Sequence, residues 1–351
     1  MMSDDIKIKF KLTPDNDQKS SHKNAFIIEG GGTRGIYAVG VIECLFDDNK
    51  YLNLNDVDIF GGTSVGSFFA TALSLGYKKQ DFLEYIKFFD LSKFIDSKYL
   101  FMITAYRFFS KGYMYDDAER QNIVKKILNL KIQTIREHLG IDFEDKFEGS
   151  DITFGHLKKL IKSHPSIYKN LLINSVDVSR EEQVFMTTLD DNSDDIKLYD
   201  AILASSSFPL VFTPTTLYYN NRTKKYQYDN TNDTSKNTLV DGGVANNNPM
   251  DYLLLNNERF NNYNLWLLRF TSSAHHTDVN DNITLIKQII DFLFSGGKKS
   301  NAKLIHEKYQ VNTINLNVTA KTFDTYTNQQ IQKIAKDTFQ QCIGGRLRFE
   351  D

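Results

Sequence analysis

Val57-Asp58-Ile59-Phe60-Gly61-Gly62-Thr63-Ser64-Val65-Gly66, followed by the apolar run Ser67 to Leu75, decides how this chain is read. Val57 to Phe60 has the length and composition of a buried strand. Val65 to Leu75 has helical spacing and stops at Gly76. Between them lies Gly62-Thr63-Ser64-Val65-Gly66, a G-x-S-x-G sequence. A sharp strand-to-helix turn forces its central residue into a strained conformation and projects that side chain outward. Side chains at the flanking positions would collide, so glycine is needed there. The motif alone is equally consistent with an ordinary glycine-flanked turn, and the strand before it and the helix after it favour the reactive reading. The helix start is also expected to place N–H groups and positive dipole near a developing oxyanion.

Just upstream, Ala25-Phe26-Ile27-Ile28 reads as a strand, Gly30-Gly31-Gly32-Thr33-Arg34-Gly35 as a loop, and Ile36 to Phe46 as a helix. Strand–turn–helix twice in succession predicts parallel strands in an α/β layered domain. The glycine loop formally matches G-x-G-x-x-G. A dinucleotide site wants an acid at the end of the second strand, about 20 residues on. Asp56 and Asp58 instead precede or open that strand, and its far end carries the serine turn. No Gly-Lys-Ser/Thr follows for a phosphate-binding loop. Both loops leave the carboxyl ends of adjacent strands, where active sites gather, so an oxyanion hole is favoured over a dinucleotide site or a purely structural turn. Arg34 reads equally as an added positive charge or as a brace for the loop.

Further along, Leu239-Val240 leads into Asp241-Gly242-Gly243 and then Val244-Ala245-Asn246-Asn247-Asn248-Pro249. An aspartate at a strand end with two glycines behind it can approach another loop closely, although Asp-Gly turns are common. Leu171 to Val178 and Gln183 to Leu189 read as paired strands, Tyr199 to Ser205 as a short helix, and Tyr218 to Thr238 as a loop or hairpin. Asn264 to Phe270 reads as a late strand. Residues 1–24 are expected to be a flexible or strand-like arm. Lys7 to Leu12 alternates with period two, but Asp15 to Lys23 has little to bury.

Bulk properties narrow the class. The 351 residues suffice for one large domain or two ordinary ones. A net charge of −2 offers no basic field for nucleic acid. Cys44 and Cys342 sit in no paired motif, which argues against a disulfide scaffold and fits a reducing compartment. The polar N-terminus lacks the apolar core of a secretory signal, and no apolar stretch is long enough to span a bilayer. A cytoplasmic protein, peripheral at a membrane if it meets one, is the expectation. No His/Cys/carboxylate cluster has metal-ligand spacing, and no cofactor is expected. Each of the seven histidines reads as a surface or helix-end residue. His306 and His275-His276 fall late enough to leave a Ser…Asp…His order open. The aromatic stretch 82–115, with Phe101, Phe108 and Phe109, reads equally as an interfacial lipid surface flanked by lysines or as buried helix faces.

Taken together, residues 30–35, 62–66 and 241–243 resemble, in order, the glycine loop, serine elbow and D-G-G of the patatin-like phospholipase family. Ala204-Ser205-Ser206-Ser207-Phe208-Pro209 is similar to its A-S-x-A-x-P segment, Asp241 through Pro249 to its D-G-G-x-x-x-N-x-P segment, and Thr153-Phe154…Leu157 to a family helix start. The likeness spans roughly residues 25–255. Glu29 stands where the family often has Asp, and Ser207 where it has another small residue. The resemblance implies a three-layer α/β fold with a mainly parallel central sheet and helices on both faces. It implies a catalytic domain over 25–255, with 91–150 as a variable cap-like insertion and 256–351 as strands and helices packed on the same domain. It also implies a Ser64–Asp241 dyad without histidine. Gly31, Gly32 and Thr33 would supply oxyanion N–H groups, and Gly30, Arg34, Gly35, Gly62, Gly66, Gly242 and Gly243 would shape the loops. The expected substrates are glycerophospholipid acyl esters. Lysophospholipids, triacylglycerols and simple esters are the alternatives within enzymes, and a non-catalytic lipid-binding or storage protein is the alternative outside them. The acidic limb of the rate profile is expected to lack an ionisation near about 6.5.

Overall fold

A computed structural model describes residues 6–13, 23–47, 52–86, 117–142, 144–209, 211–271, 278–279, 285, 310–319 and 326–344. The apolar runs without alternation become the centre of a sheet that is buried on both faces. β1 (Ile6–Lys11) and β2 (Lys23–Ile28) precede a short 3₁₀ turn at Gly32–Arg34 and α1 (Gly35–Phe46). β3 (Val57–Gly62) then leads through the serine turn into α2 (Val65–Ser74) and α3 (Lys79–Ile86). Next come α4 (Ala118–Asn129), α5 (Ile132–Leu139), α6 (Phe154–Ser163), β4 (Asn170–Asp177), β5 (Glu182–Thr187) and α7 (Leu198–Ser205). The chain continues with β6 (Thr215–Asn220), β7 (Lys225–Gln227), β8 (Thr234–Asp241), α8 (Met250–Leu255), α9 (Asn257–Phe260), β9 (Tyr263–Thr271), β10 (Asn312–Val318) and α10 (Asn328–Gly344).

The strands form one mixed sheet in the order β1-β10-β9-β2-β3-β4-β8-β6-β7, with β5 paired to β4. The class is α/β. Parallel pairing runs through the centre, from β10 across β9, β2 and β3 to β4. Both flanks are antiparallel: β1 on β10 at one side, and β5, β8, β6 and β7 at the other. The polar 218–238 region is the β6–β7–β8 meander.

One register relation positions the site. β3 pairs with the first half of β4 and ends with Gly62 opposite Ile173. β8 pairs with the second half of β4 and ends with Asp241 opposite Ser175. β5 pairs with both halves of β4. It therefore occupies the other edge, and β8 takes up the edge of β4 where β3 leaves it. The ends of β3 and β8 are thus brought together, and each carries one of the two motifs.

Of the two readings open for the N-terminal arm, residues 6–11 take the strand and not the flexible one, because burying Ile6 and Phe10 against the core gives the period-two pattern a partner in β10. One expectation needs correction. Cys44 and Cys342 are joined as a disulfide, 298 residues apart in sequence and 6.2 Å between Cα atoms. Packing of α10 along α1 creates that pair. Sequence spacing cannot show it, and the ground for inferring a reducing compartment is removed. The stretch 82–115 falls mostly outside the described residues, with Phe101, Phe108 and Phe109 among those not covered. Phe82 is core, packed between Phe46, Phe69 and Tyr77. Among the described residues no helix is long and apolar enough to cross a membrane.

Candidate active site

Ser64 follows the end of β3 and precedes the first turn of α2, with φ 53° and ψ −124°. A side chain is strained there, at a cost of order 1–3 kcal/mol, so the surroundings must hold it. The Ser64 N–H donates to Ser205 Oγ at 3.0 Å. The Ser64 carbonyl accepts from the Ser67 amide at 2.9 Å and from Ser67 Oγ at 2.6 Å. A β-carbon on Gly66 would sit 2.2 Å from the Ile28 carbonyl oxygen, and one on Gly62 2.2 Å from that of Gly66. The turn therefore closes only with glycine on both sides. These bonds also revise one expectation: the amides of Gly66 and Ser67 are committed inside the turn and that of Ser64 to Ser205, which reduces what α2 offers an oxyanion.

The glycine loop lies directly against the serine. A β-carbon on Gly30 would meet Ser64 Cβ at 3.0 Å and Asn247 Oδ1 at 2.5 Å. Asn247 ties the loop down in two places. Its Nδ2 donates to the Gly30 carbonyl at 2.8 Å, and its carbonyl accepts from the Gly30 amide at 3.2 Å. The Gly31 carbonyl accepts from both the amide and Nε of Arg34, each at 3.2 Å. Arg34 is buried, and this bond makes it a brace of the loop. The 3₁₀ turn closes through Arg34 N and Gly35 N. Gly31 and Gly32 precede that closure, so their N–H groups have no acceptor within it. One residue upstream, buried Glu29 pairs with Arg269 of β9 at 3.1 Å, which anchors the loop's entrance to the next strand.

Asp241 is fully buried. Its Oδ1 accepts from the Gly243 amide at 2.8 Å, and its own amide donates to the Ser207 carbonyl at 2.9 Å. Oδ2 is buried without a hydrogen bond. The Ser64 hydroxyl is near enough to favour the Asp241 anion, but it makes no hydrogen bond of ordinary geometry with it at rest. Desolvation raises the Asp241 pKa to about 7, and it outweighs the opposing effects of Ser64, the Gly243 amide and the Arg120 guanidinium. Burial thus moves this carboxyl toward the range of an unperturbed imidazole, near about 6.5, so the position of the acidic limb does not by itself separate the two.

Sequence reasoning missed Asn174. It sits at the junction on β4, between Ile173 opposite Gly62 and Ser175 opposite Asp241. Thr63 Oγ1 donates to its Oδ1, and its Nδ2 donates to the Asn246 carbonyl at 2.9 Å. The available signal was a polar residue inside the apolar run Leu171-Leu172-Ile173-Asn174. Arg120, whose charge reaches Asp241, carried no signal beyond being a polar residue in a helix. Of the histidines, His138, His156 and His164 are described. His138 and His164 stack on each other at 3.8 Å, His138 also bonds Tyr168, and His156 caps α6. His22, His275, His276 and His306 lie outside the described residues. Among the described residues no group of three or more His, Cys, Asp or Glu is placed to hold a metal ion.

The architecture is that of an α/β protein whose polar site gathers where the end of parallel β3 meets the end of antiparallel β8 on β4. The model of the patatin-like phospholipases matches residues 26–254. The chain belongs to the patatin-like phospholipase family, whose members are lipid-ester hydrolases. A protein of Acanthamoeba polyphaga mimivirus, of uncharacterised function, is 56% identical over all of this chain and 99% of its own length. A probable lipid hydrolase of Invertebrate iridescent virus 6 is 22% identical over 72% of this chain and 71% of its own. Among solved structures, VipD from Legionella pneumophila is similar in fold, with a TM-score of 0.50 and 17% identity, covering 96% of this chain and 69% of that one.

Proposed function

We propose that this chain hydrolyses carboxylic esters of glycerophospholipids through a Ser64–Asp241 dyad and an acyl-enzyme, releasing free fatty acid. The observation that carries the reading is a strained serine beside a fully buried carboxyl whose pKa burial raises to about 7. An exposed aspartate, near 3.9, is a poor base for a hydroxyl. A desolvated one, with Oδ2 free of other donors, is a stronger base and open to the serine proton. Ser64 Oγ attacks the ester carbonyl carbon as its proton passes to Asp241. The carbonyl oxygen takes the electron pair and is held by the amides of Gly31 and Gly32, with Thr33 beside them. One such donor is typically worth about 3 kcal/mol. Collapse of this intermediate expels the alkoxide, which leaves with the proton from Asp241. Water then attacks the acyl-enzyme with Asp241 again as base, and the acid is released with Ser64 restored.

A fluorophosphonate probe and a phospholipid-vesicle assay with product analysis test this together. Wild type should label once, at Ser64, and release fatty acid. Ser64→Ala and Asp241→Asn should each lose activity by several orders of magnitude while remaining folded. Substituting all seven histidines should leave most of it. Because Asp241 must be ionised to act, kcat/KM should rise with pH through about 7. The temperature dependence of that limb then identifies the group, since carboxyl ionisation is nearly athermal and imidazole ionisation is not. Turnover by folded Ser64→Ala, or a limb with the heat of an imidazole, would end the proposal.

A further inference from the structure

Arg120 lies in the first turn of α4, the end of a helix where the dipole disfavours a cation, yet it is buried. Nη1 donates toward the Leu203 carbonyl at 3.2 Å and toward the hydroxyls of Ser206 and Ser207, each at 3.3 Å. Nη2 reaches Asp117 Oδ2 at 3.0 Å, Ser207 Oγ at 3.2 Å and the Thr213 carbonyl at 3.3 Å. The guanidinium also lies over the Phe212 ring, 4.8 Å from its centroid. Its ligands are thus drawn from the end of α7, the 206–207 turn and the 212–213 segment. That turn bears directly on the site: the Ser207 carbonyl holds the Asp241 amide, and Ser205 Oγ holds the Ser64 amide.

We propose that Arg120 is a positioning residue of the dyad, clamping the turn on which both the Ser64 and Asp241 amides are hung and holding a positive charge toward the Asp241 carboxylate. The inference rests on the Ser64–Asp241 reading. Surface exposure does not explain this arginine, and a bound headgroup does not either, because it is too deeply buried to meet one. A merely structural ion pair would need Asp117 alone. Here three of the six hydrogen bonds run to Ser206 and Ser207, in the one turn that joins nucleophile and base. The charged and titratable groups bearing on Arg120 are Asp117 from its own helix start, Tyr199 from α7 and Asp241 from β8. Those bearing on Asp241 are Ser64 from the elbow and Arg120. Burial opposes the ionised form of Asp241, and Arg120 offsets part of that penalty.

The test is the pH dependence of kcat/KM for a soluble ester, measured on full-length wild type, Arg120→Gln, Arg120→Lys, Asp117→Asn and Asp241→Asn. Removing the charge should move the acidic limb of Arg120→Gln upward by about one pH unit, a loss of about tenfold at pH values below the limb. Arg120→Lys should return the limb to the wild-type position while keeping a lowered plateau, because an ammonium cannot reproduce the fork of hydrogen bonds. Asp117→Asn should move the limb downward, since it unmasks the arginine's charge. A folded Arg120→Gln whose limb is unmoved, or an Arg120→Lys that shifts as far as the glutamine variant, overturns the inference. If Arg120→Gln does not fold, Asp117→Asn decides alone: a lowered limb supports the proposal and an unmoved one refutes it. Turnover by Asp241→Asn would instead remove the dyad itself. An inactive Asp241→Asn with unmoved limbs in the other variants would remove only the role given to Arg120.

Discussion

As the proposed base, Asp241 would set stability and activity against each other. In the folded protein its carboxyl holds its proton up to about pH 7, against an ordinary value of 3.8. Between those values the unfolded chain binds fewer protons than the folded one, so stability falls as pH rises through the interval. Above it the folded protein carries a buried anion at a cost of up to about 4 kcal/mol. Asp241→Asn keeps the acceptor for the Gly243 amide and removes the charge. Thermal unfolding followed across pH should find this variant more stable than wild type at neutral and alkaline pH, with the gap closing in acid. An equal or lower stability at alkaline pH would show that the carboxyl is not buried as an unwelcome charge. The same residue scale contains the site's least visible part. Asn174 joins Thr63 to Asn246 across the β3–β4–β8 junction, yet in the sequence it is one asparagine in an apolar strand.

At the scale of elements, α1 transmits order from the C-terminus to the glycine loop. It begins immediately after that loop, is buried along nearly its whole length, and carries Cys44, which is bonded to Cys342 of α10. The bond closes a loop of almost the entire chain. Cys342→Ser should therefore lower stability by about 2–4 kcal/mol. Unfolding scans without reductant check this: adding reductant to wild type should reproduce the loss and leave the variant unchanged. Identical midpoints with and without the bond would show that α10 is held by packing alone. Elements also show where reading by pattern succeeds. β2, β3, α1 and α2 were legible because each is an apolar run with glycine close to an end, whereas the β6–β8 meander was legible only as a polar loop or hairpin. The pairing of β1 was not, since an alternating run shows a strand without naming its partner.

For the whole molecule, the region that carries the family likeness shares its sheet with strands that lie beyond it. β9 lies beside β2 in the middle of the sheet, and β10 beside β9. The Glu29 amide donates to the Leu268 carbonyl at 3.0 Å, and Arg269 pairs with Glu29. A chain ended at residue 255 keeps Ser64, Asp241 and all three loops, yet it strips one edge from β2 and takes Arg269 away from Glu29. We expect that fragment to lose cooperative unfolding and probe labelling together, as circular dichroism and fluorophosphonate reactivity would report. Full labelling by the fragment would show that residues 256–351 are dispensable to the site.

The serine turn, the glycine loop, the aspartate, and the alternation of strand and helix that puts the first two at the ends of neighbouring strands can all be read from the order of residues alone. Those are local matters, set by where glycine is sterically required and where apolar side chains recur. Folding in three dimensions sets the rest: β8 continues the edge of β4 where β3 ends, Asp241 is fully desolvated, the charge of Arg120 bears on it, and two distant cysteines meet. Each of these depends on contacts between segments far apart in the chain, and a group's acidity follows from the water those contacts exclude.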